Sequence, residues 1–171
     1  IQKILSANQV AGAVKLRRLA ELARSCSLML AVDDPEGVRQ LGQTCRAAGV
    51  QVGVLVEVNI GMGRCGVEPG QPALDLAREV LDQPGLVFEG LMGYEGHLVM
   101  IPDPQERAAK VAAAISLLKT TKDLLERSGI PVRIVSGGGT GTYDLTGVCE
   151  PNNELQVGSY VFMDSTYLNI R

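Results

Sequence analysis

Tryptophan is missing from the 171 residues, aromatic residues make up only 4%, and there is a single histidine, His97. No apolar run approaches the roughly 18 residues that would suggest a membrane span, and no signal peptide is visible. The four cysteines, Cys26, Cys45, Cys65 and Cys149, form no CxxC pair, and one histidine cannot complete a zinc-ligand set. A reduced, cytoplasmic setting is the expectation. The formal net charge is −3, which gives no electrostatic reason to expect nucleic acid or a membrane surface as partner. What is plentiful is glycine, 20 residues of it, in a chain that is 46% hydrophobic. That profile is too apolar for a disordered chain and suits an α/β domain with many strand–helix turns. The first residue is Ile1 rather than Met, which reads as a fragment whose lost N-terminus would carry any targeting segment with it.

Strand-like and helix-like stretches alternate along the whole length. Short β-type runs are expected at Lys3–Ala7, Leu28–Val32, Gly53–Val58, Leu86–Gly90, Val132–Ser136, Glu154–Val157 and Val161–Met163. Helical spacing covers Ala13–Ser25, a stretch begun by the Asp33–Asp34–Pro35 cap and stopped by Gly49, then Pro72–Leu81, and Pro104–Ser128 stopped by Gly129. This makes about six βα units, and alternating strands and helices imply a parallel sheet with right-handed crossovers. An open doubly wound sheet and a closed (β/α)8 barrel both fit, and periodicity does not separate them. Either fold puts its chemistry at the C-terminal ends of the strands.

Four loops follow strand ends. In SGGGTGTY, Ser136–Tyr143, three glycines permit φ > 0 and close approach, so successive N–H groups can form an anion nest. Ser136, Thr140 and Thr142 could add hydroxyl donors; the plain alternative is a flexible turn. No Lys follows the glycines, so this is not a P-loop of the GxxxxGK[ST] kind. In GMGRCGV, Gly61–Val67, Arg64 is presented on a loop, either to a carboxylate, a phosphate or a ring nitrogen, or simply to solvent. In GYEGH, Tyr94 could stack on a planar ligand and His97 could move protons, or His97 could be an ordinary polar side chain. In ELQVGSY, Glu154–Tyr160, Gly158 and Ser159 could supply a second set of phosphate donors or form a common turn.

The order and wording of VLVEVNIGMGRCGV, FEGLMGYEGH, SGGGTGTY and ELQVGSYVFMD resemble the D-threonine aldolase and D-serine dehydratase-like family. Those enzymes use pyridoxal 5′-phosphate on an alanine-racemase-type barrel. The likeness runs from about Asn8 to Tyr167, nearly the whole chain, and four ordered motifs are far more specific than one. It implies an incomplete (β/α)8 TIM-type barrel over residues 1–171, with the family's C-terminal β domain absent. It implies that Arg64 faces the pyridine nitrogen and that Tyr94 lies in the cofactor pocket. Gly138, Gly139 and Thr140 match the phosphate loop, and Gly158, Ser159 and Tyr160 match the second phosphate-side segment. Ser136 and Gln156 are neighbours with weaker claims, and His97 sits on the active-site rim, where a proton-transfer role is open.

The resemblance also marks what is missing. The family holds its cofactor as a Schiff base on a lysine in a segment that would precede Ile1. None of Lys3, Lys15, Lys110, Lys119 and Lys122 matches it. The divalent-metal ligands belong to the C-terminal domain, so no metal ligand is expected within these residues. The implied activity is a lyase reaction on a small D-β-hydroxy amino acid, by retro-aldol cleavage or by dehydration. The fragment alone is expected to be inactive. Racemisation on the same barrel, which needs a second base from a partner subunit, and a non-catalytic pyridoxal-phosphate-binding protein are the alternatives. A homodimer is allowed by the resemblance.

Overall fold

In a computed structural model of the chain, residues 1–163, Ser165 and Tyr167 are described. Six strands run β1 (Lys3–Ser6), β2 (Ser27–Val32), β3 (Val52–Glu57), β4 (Leu86–Met92), β5 (Ile134–Gly137) and β6 (Glu154–Leu155). The helices are α1 (Ala13–Leu22), α2 (Pro35–Ala48), α3 (Gln71–Leu81), α4 (Pro104–Arg127) and α5 (Tyr143–Thr146). Spatial order equals chain order, β1-β2-β3-β4-β5-β6, and every neighbouring pair is parallel. A doubly wound sheet needs a reversal of strand order, and this sheet has none. It is the wall of a barrel, left open between β1 and β6. A cavity of about 470 Å3 lies there, lined by residues of both edge strands such as Leu5 and Gln156.

The two faces of the sheet explain its composition. Alternate residues Leu28, Leu30 and Val32 of β2, and Val52, Val54 and Val56 of β3, join the large core with helix residues such as Leu41, Leu74 and Leu118. The opposite parity forms a small inner cluster of Ala31, Leu55 and Met92, with Leu5 and Ile134 packed against it. Strands buried on both faces read as continuous apolar runs, which is why their sequences show little alternation.

Helix ends follow their local chemistry. Asp34 caps α2 by accepting from Gly37 N at 2.7 Å, Pro35 fills the first turn, and Gly49 closes it at φ 65°. Asp103 caps α4 in the same way, through Glu106 N at 2.7 Å. Loss of such a cap costs about 1 kcal/mol. Three elements depart from expectation. The segment Val161–Met163 is not a strand: a 3-10 turn covers Ser159–Val161, the N–H groups of Phe162 and Met163 return to Ser159 O, and Met163 has φ 48°. The strand β4 continues past Gly90 to Met92 through a bulge. A Cβ on Gly90 would stand 1.9 Å from Ile134 O, so glycine there serves close strand approach and not a strand end. The short helix α5 was not foreseen.

Among the described residues, no helix is long and apolar enough to cross a membrane.

Candidate functional site

The arginine loop is built from its own first residue. After β3, Asn59 Oδ1 accepts from Gly61 N at 3.2 Å and from Gly63 N at 3.0 Å. The loop closes through Asn59 N to Val67 O at 2.8 Å and Val67 N to Glu57 O at 2.9 Å. Asp33, at the end of β2, accepts from Gly66 N at 3.0 Å. Gly66 has φ 96°, and a Cβ there would meet Asn59 N at 2.7 Å, so the position admits only glycine. The loop therefore presents an exposed Arg64, whose guanidinium lies 5.6 Å from the centre of the Tyr94 ring. That geometry suits a cation–π contact. Below it, the buried Glu57 accepts from Gln9 and, at 2.9 Å, from Cys65 Sγ. The hydrogen bond with Cys65, aided by the nearby Glu57 and Tyr94, holds the Arg64 guanidinium more firmly protonated than usual.

Tyr94 links this loop to the glycine run. Its ring is half-buried and sits against Gly139, where an added Cβ would meet ring carbon Cε2 at 2.9 Å. Burial, with Tyr167 and Glu95 nearby, pushes its phenol above the ordinary range, against an opposing pull from Arg64. Tyr94 therefore stays neutral. Of the three glycines, only Gly138 needs φ > 0, at 71°. Gly137 is glycine because a Cβ would stand 2.7 Å from Gly93 O, and Gly139 because of Tyr94.

The glycine run rests on a residue that motif reading passed over. Glu95 is fully buried and accepts from Thr142 Oγ1 at 2.7 Å, from Thr146 Oγ1, and from Gly138 N at 3.3 Å. Gly139 N donates to Thr142 Oγ1 at 3.2 Å. A buried carboxylate is costly unless such donors surround it. These bonds correct two expectations. Thr142 turns its hydroxyl to Glu95, so it is not a phosphate donor. Ser136, fully buried in the barrel wall, donates to Glu154 Oε1 at 2.7 Å and is likewise committed.

The second segment meets the first at Thr140, whose Oγ1 accepts from Tyr160 N at 3.0 Å. The N–H groups of Thr140, Gly141, Gly158 and Ser159 have no acceptor among the described residues. They flank one junction, and Thr140, Gly141 and Tyr160 also line a cavity of about 370 Å3 that reaches Arg107 and Tyr167. Ser159 Oγ accepts from Tyr167 Oη at 3.1 Å. Gln156 lies in the barrel interior, donating to Ser136 Oγ at 2.9 Å and to Met92 Sδ at 3.6 Å. His97 stands apart from this hydrogen-bonded set. It is exposed, and its Nε2 is 3.0 Å from where a Cβ on Gly61 would lie.

Arg64, Tyr94 and Gly139 thus share one rim, joined through Thr140 to Tyr160. No lysine joins them: Lys3 opens β1 at the other end of its strand, and the remaining four lie on helices α1 and α4. Lys110, Lys119 and Lys122 are ion-paired along α4. Among the described residues, no group of three His, Cys, Asp or Glu could hold a metal ion.

The model of the alanine racemase N-terminal domain matches residues 4–166. The chain belongs to this family. Its curated relatives include a D-threonine aldolase from Arthrobacter sp, 39% identical over 98% of this chain and 44% of that protein. Another is a 3-hydroxy-D-aspartate aldolase from Paracoccus denitrificans (strain Pd 1222), 36% identical over 98% of this chain and 43% of that protein. Among solved structures, the D-threonine aldolase from Filomicrobium marinum superposes with a TM-score of 0.97 at 42% identity. It covers all of this chain, which spans 46% of that one. The alanine-racemase-type barrel inferred from four motifs is therefore the fold observed. The chain spans less than half the length of these relatives.

Proposed function

We propose that the whole protein is a pyridoxal-phosphate-dependent lyase that cleaves small D-β-hydroxy amino acids. The observation that carries this reading is the rim: the N–H groups of Thr140, Gly141, Gly158 and Ser159, which have no acceptor among the described residues, and a protonated Arg64 beside a neutral Tyr94. Free backbone donors fit a phosphate, and the arginine–tyrosine pair fits a planar ring with an acceptor nitrogen. The relatives named above act on D-threonine and 3-hydroxy-D-aspartate, both of which carry a β-hydroxyl. Pyridoxal phosphate, when bound, supplies an aldehyde that takes up an amino group and a conjugated ring that draws electron density from the breaking bond.

Each residue then has a task. Thr140, Gly141, Gly158 and Ser159 bind the phosphate through N–H groups. Arg64 donates to the ring nitrogen and keeps it unprotonated, which moderates electron withdrawal. Tyr94 and Gly139 fix the plane of the ring. Ser136 and Gln156, bonded to one another in the barrel wall, hold the floor of the pocket. His97 moves the proton at the substrate. A divalent metal and the lysine that holds the cofactor come from outside these residues, and the protein is a homodimer in this reading. Retro-aldol cleavage is favoured over dehydration because both curated relatives described here are aldolases.

The test is stereochemical. The whole protein with pyridoxal phosphate and a divalent metal should release glycine and acetaldehyde from D-threonine and none from L-threonine. Equal release from both enantiomers, or none from either with cofactor bound, would overturn the reading.

A further inference from the structure

Glu95 is fully buried beneath the rim, and the hydrogen bonds its side chain accepts come from the glycine loop and the helix that follows. Three hydrogen bonds converge on its buried carboxylate, from partners 43 to 51 residues away in sequence. Thr142 Oγ1 receives the N–H of Gly139, so its own hydrogen goes to Glu95 Oε1. Thr146 donates to the same oxygen, and Gly138 N donates to Oε2. The Thr142 hydroxyl and the Gly138 N–H both donate, one to each carboxylate oxygen, so the site needs a side chain with two acceptor oxygens.

The consequence is a division of labour among consecutive N–H groups. Those of Gly138 and Gly139 are drawn inward, one to Glu95 and one to Thr142. Those of Thr140 and Gly141 are left without an acceptor among the described residues. We propose that Glu95 is a positioning residue for phosphate recognition: it pins the first half of the glycine loop so that the second half binds the anion. This rests on the phosphate reading of the loop given above. The carboxylate lies behind the backbone and fixes it, and the loop's own dipoles face the ligand. Tyr94, its neighbour in sequence, lies against Gly139 of the same loop.

Pyridoxine 5′-phosphate and pyridoxine separate the phosphate contribution from the ring contribution, and neither carries an aldehyde that would react with surface lysines. Their affinities are measured for the chain and for the Glu95→Gln and Thr142→Val variants, with amide hydrogen exchange over residues 138–142. An amide at position 95 keeps the volume but has one acceptor oxygen, so one side of the loop loses its partner whichever way the amide turns. The native chain should prefer the phosphorylated ligand, and Glu95→Gln should reduce that preference about tenfold while faster exchange appears at Gly138 and Gly139. Thr142→Val should reduce it in the same direction, and it decides the matter alone if the glutamine variant fails to fold. Folded variants that keep the native preference would overturn the positioning role and leave the phosphate reading standing. A native chain with no preference for the phosphorylated ligand would overturn both.

Discussion

Two loops on the same rim are held in opposite ways. The arginine loop is tied to itself: Asn59 binds Gly61 and Gly63, and Val67 closes back on β3. The glycine loop is tied from beneath by Glu95, which arrives from the end of β4. The first is shaped by local sequence, with Asp33 added from the end of β2. The second cannot hold its shape without the neighbouring strand. An exposed, self-tied loop can present a side chain such as Arg64 without a large energetic investment in the core. An anion nest has backbone N–H groups to offer, so its backbone must be fixed, and a buried polar anchor does that best.

The difference predicts unequal costs for removing each anchor. Replacing Glu95 with Ala leaves two hydroxyls and an N–H buried without their acceptor and should cost about 3 kcal/mol. Urea denaturation measures it, and a loss no larger than that of an exposed polar residue would break the comparison. Replacing Asn59 with Ala removes three side-chain hydrogen bonds, with Gly61 N, Gly63 N and Glu68, at a solvent-accessible turn and should cost about 1 kcal/mol. The same titration checks this, and a cost equal to that of Glu95→Ala would mean that both loops depend on buried support.

The smallest effect belongs to Cys65, beneath Arg64. Burial, and then its hydrogen bond to Glu57, push the Cys65 thiol above its ordinary 9.0, against an opposing pull from Arg64. A thiol whose pKa is raised by folding contributes stability that is present below the ordinary value and lost as pH climbs through the raised one. Replacing it with Ser, whose hydroxyl still donates to Glu57 and does not titrate there, should flatten the alkaline fall in melting temperature. An unchanged fall would place its source elsewhere.

What could be read from the sequence follows the same division between local and distant causes. The span of α2 was readable because Asp34, Pro35 and Gly49 are signals that act within a few residues. The barrel family was readable because four motifs sit in order at strand ends. The rim partnership of Arg64 and Gly139 followed from strand ends sharing one edge of a parallel sheet. Glu95 was within view in GYEGH, but its role depends on threonines about 50 residues onward, and no spacing rule links them. The committed hydroxyls of Ser136 and Thr142 were misread for the same reason. Val161–Met163 carries strand-like residues but returns its N–H groups to the carbonyls of Gly158 and Ser159, so propensity lost to a local turn. The strand expected over Leu86–Gly90 runs on to Met92, and Gly90 is a point of contact with β5.

The central claim is that phosphate binds where two strand-end segments meet. Amide chemical shifts of the chain titrated with pyridoxine 5′-phosphate test it most directly. The account predicts that Thr140, Gly141, Gly158 and Ser159 shift together along one binding curve, with Arg64 and Tyr94 following. Shifts confined to the N-termini of α2 or α4, or spread evenly over the surface, would contradict it.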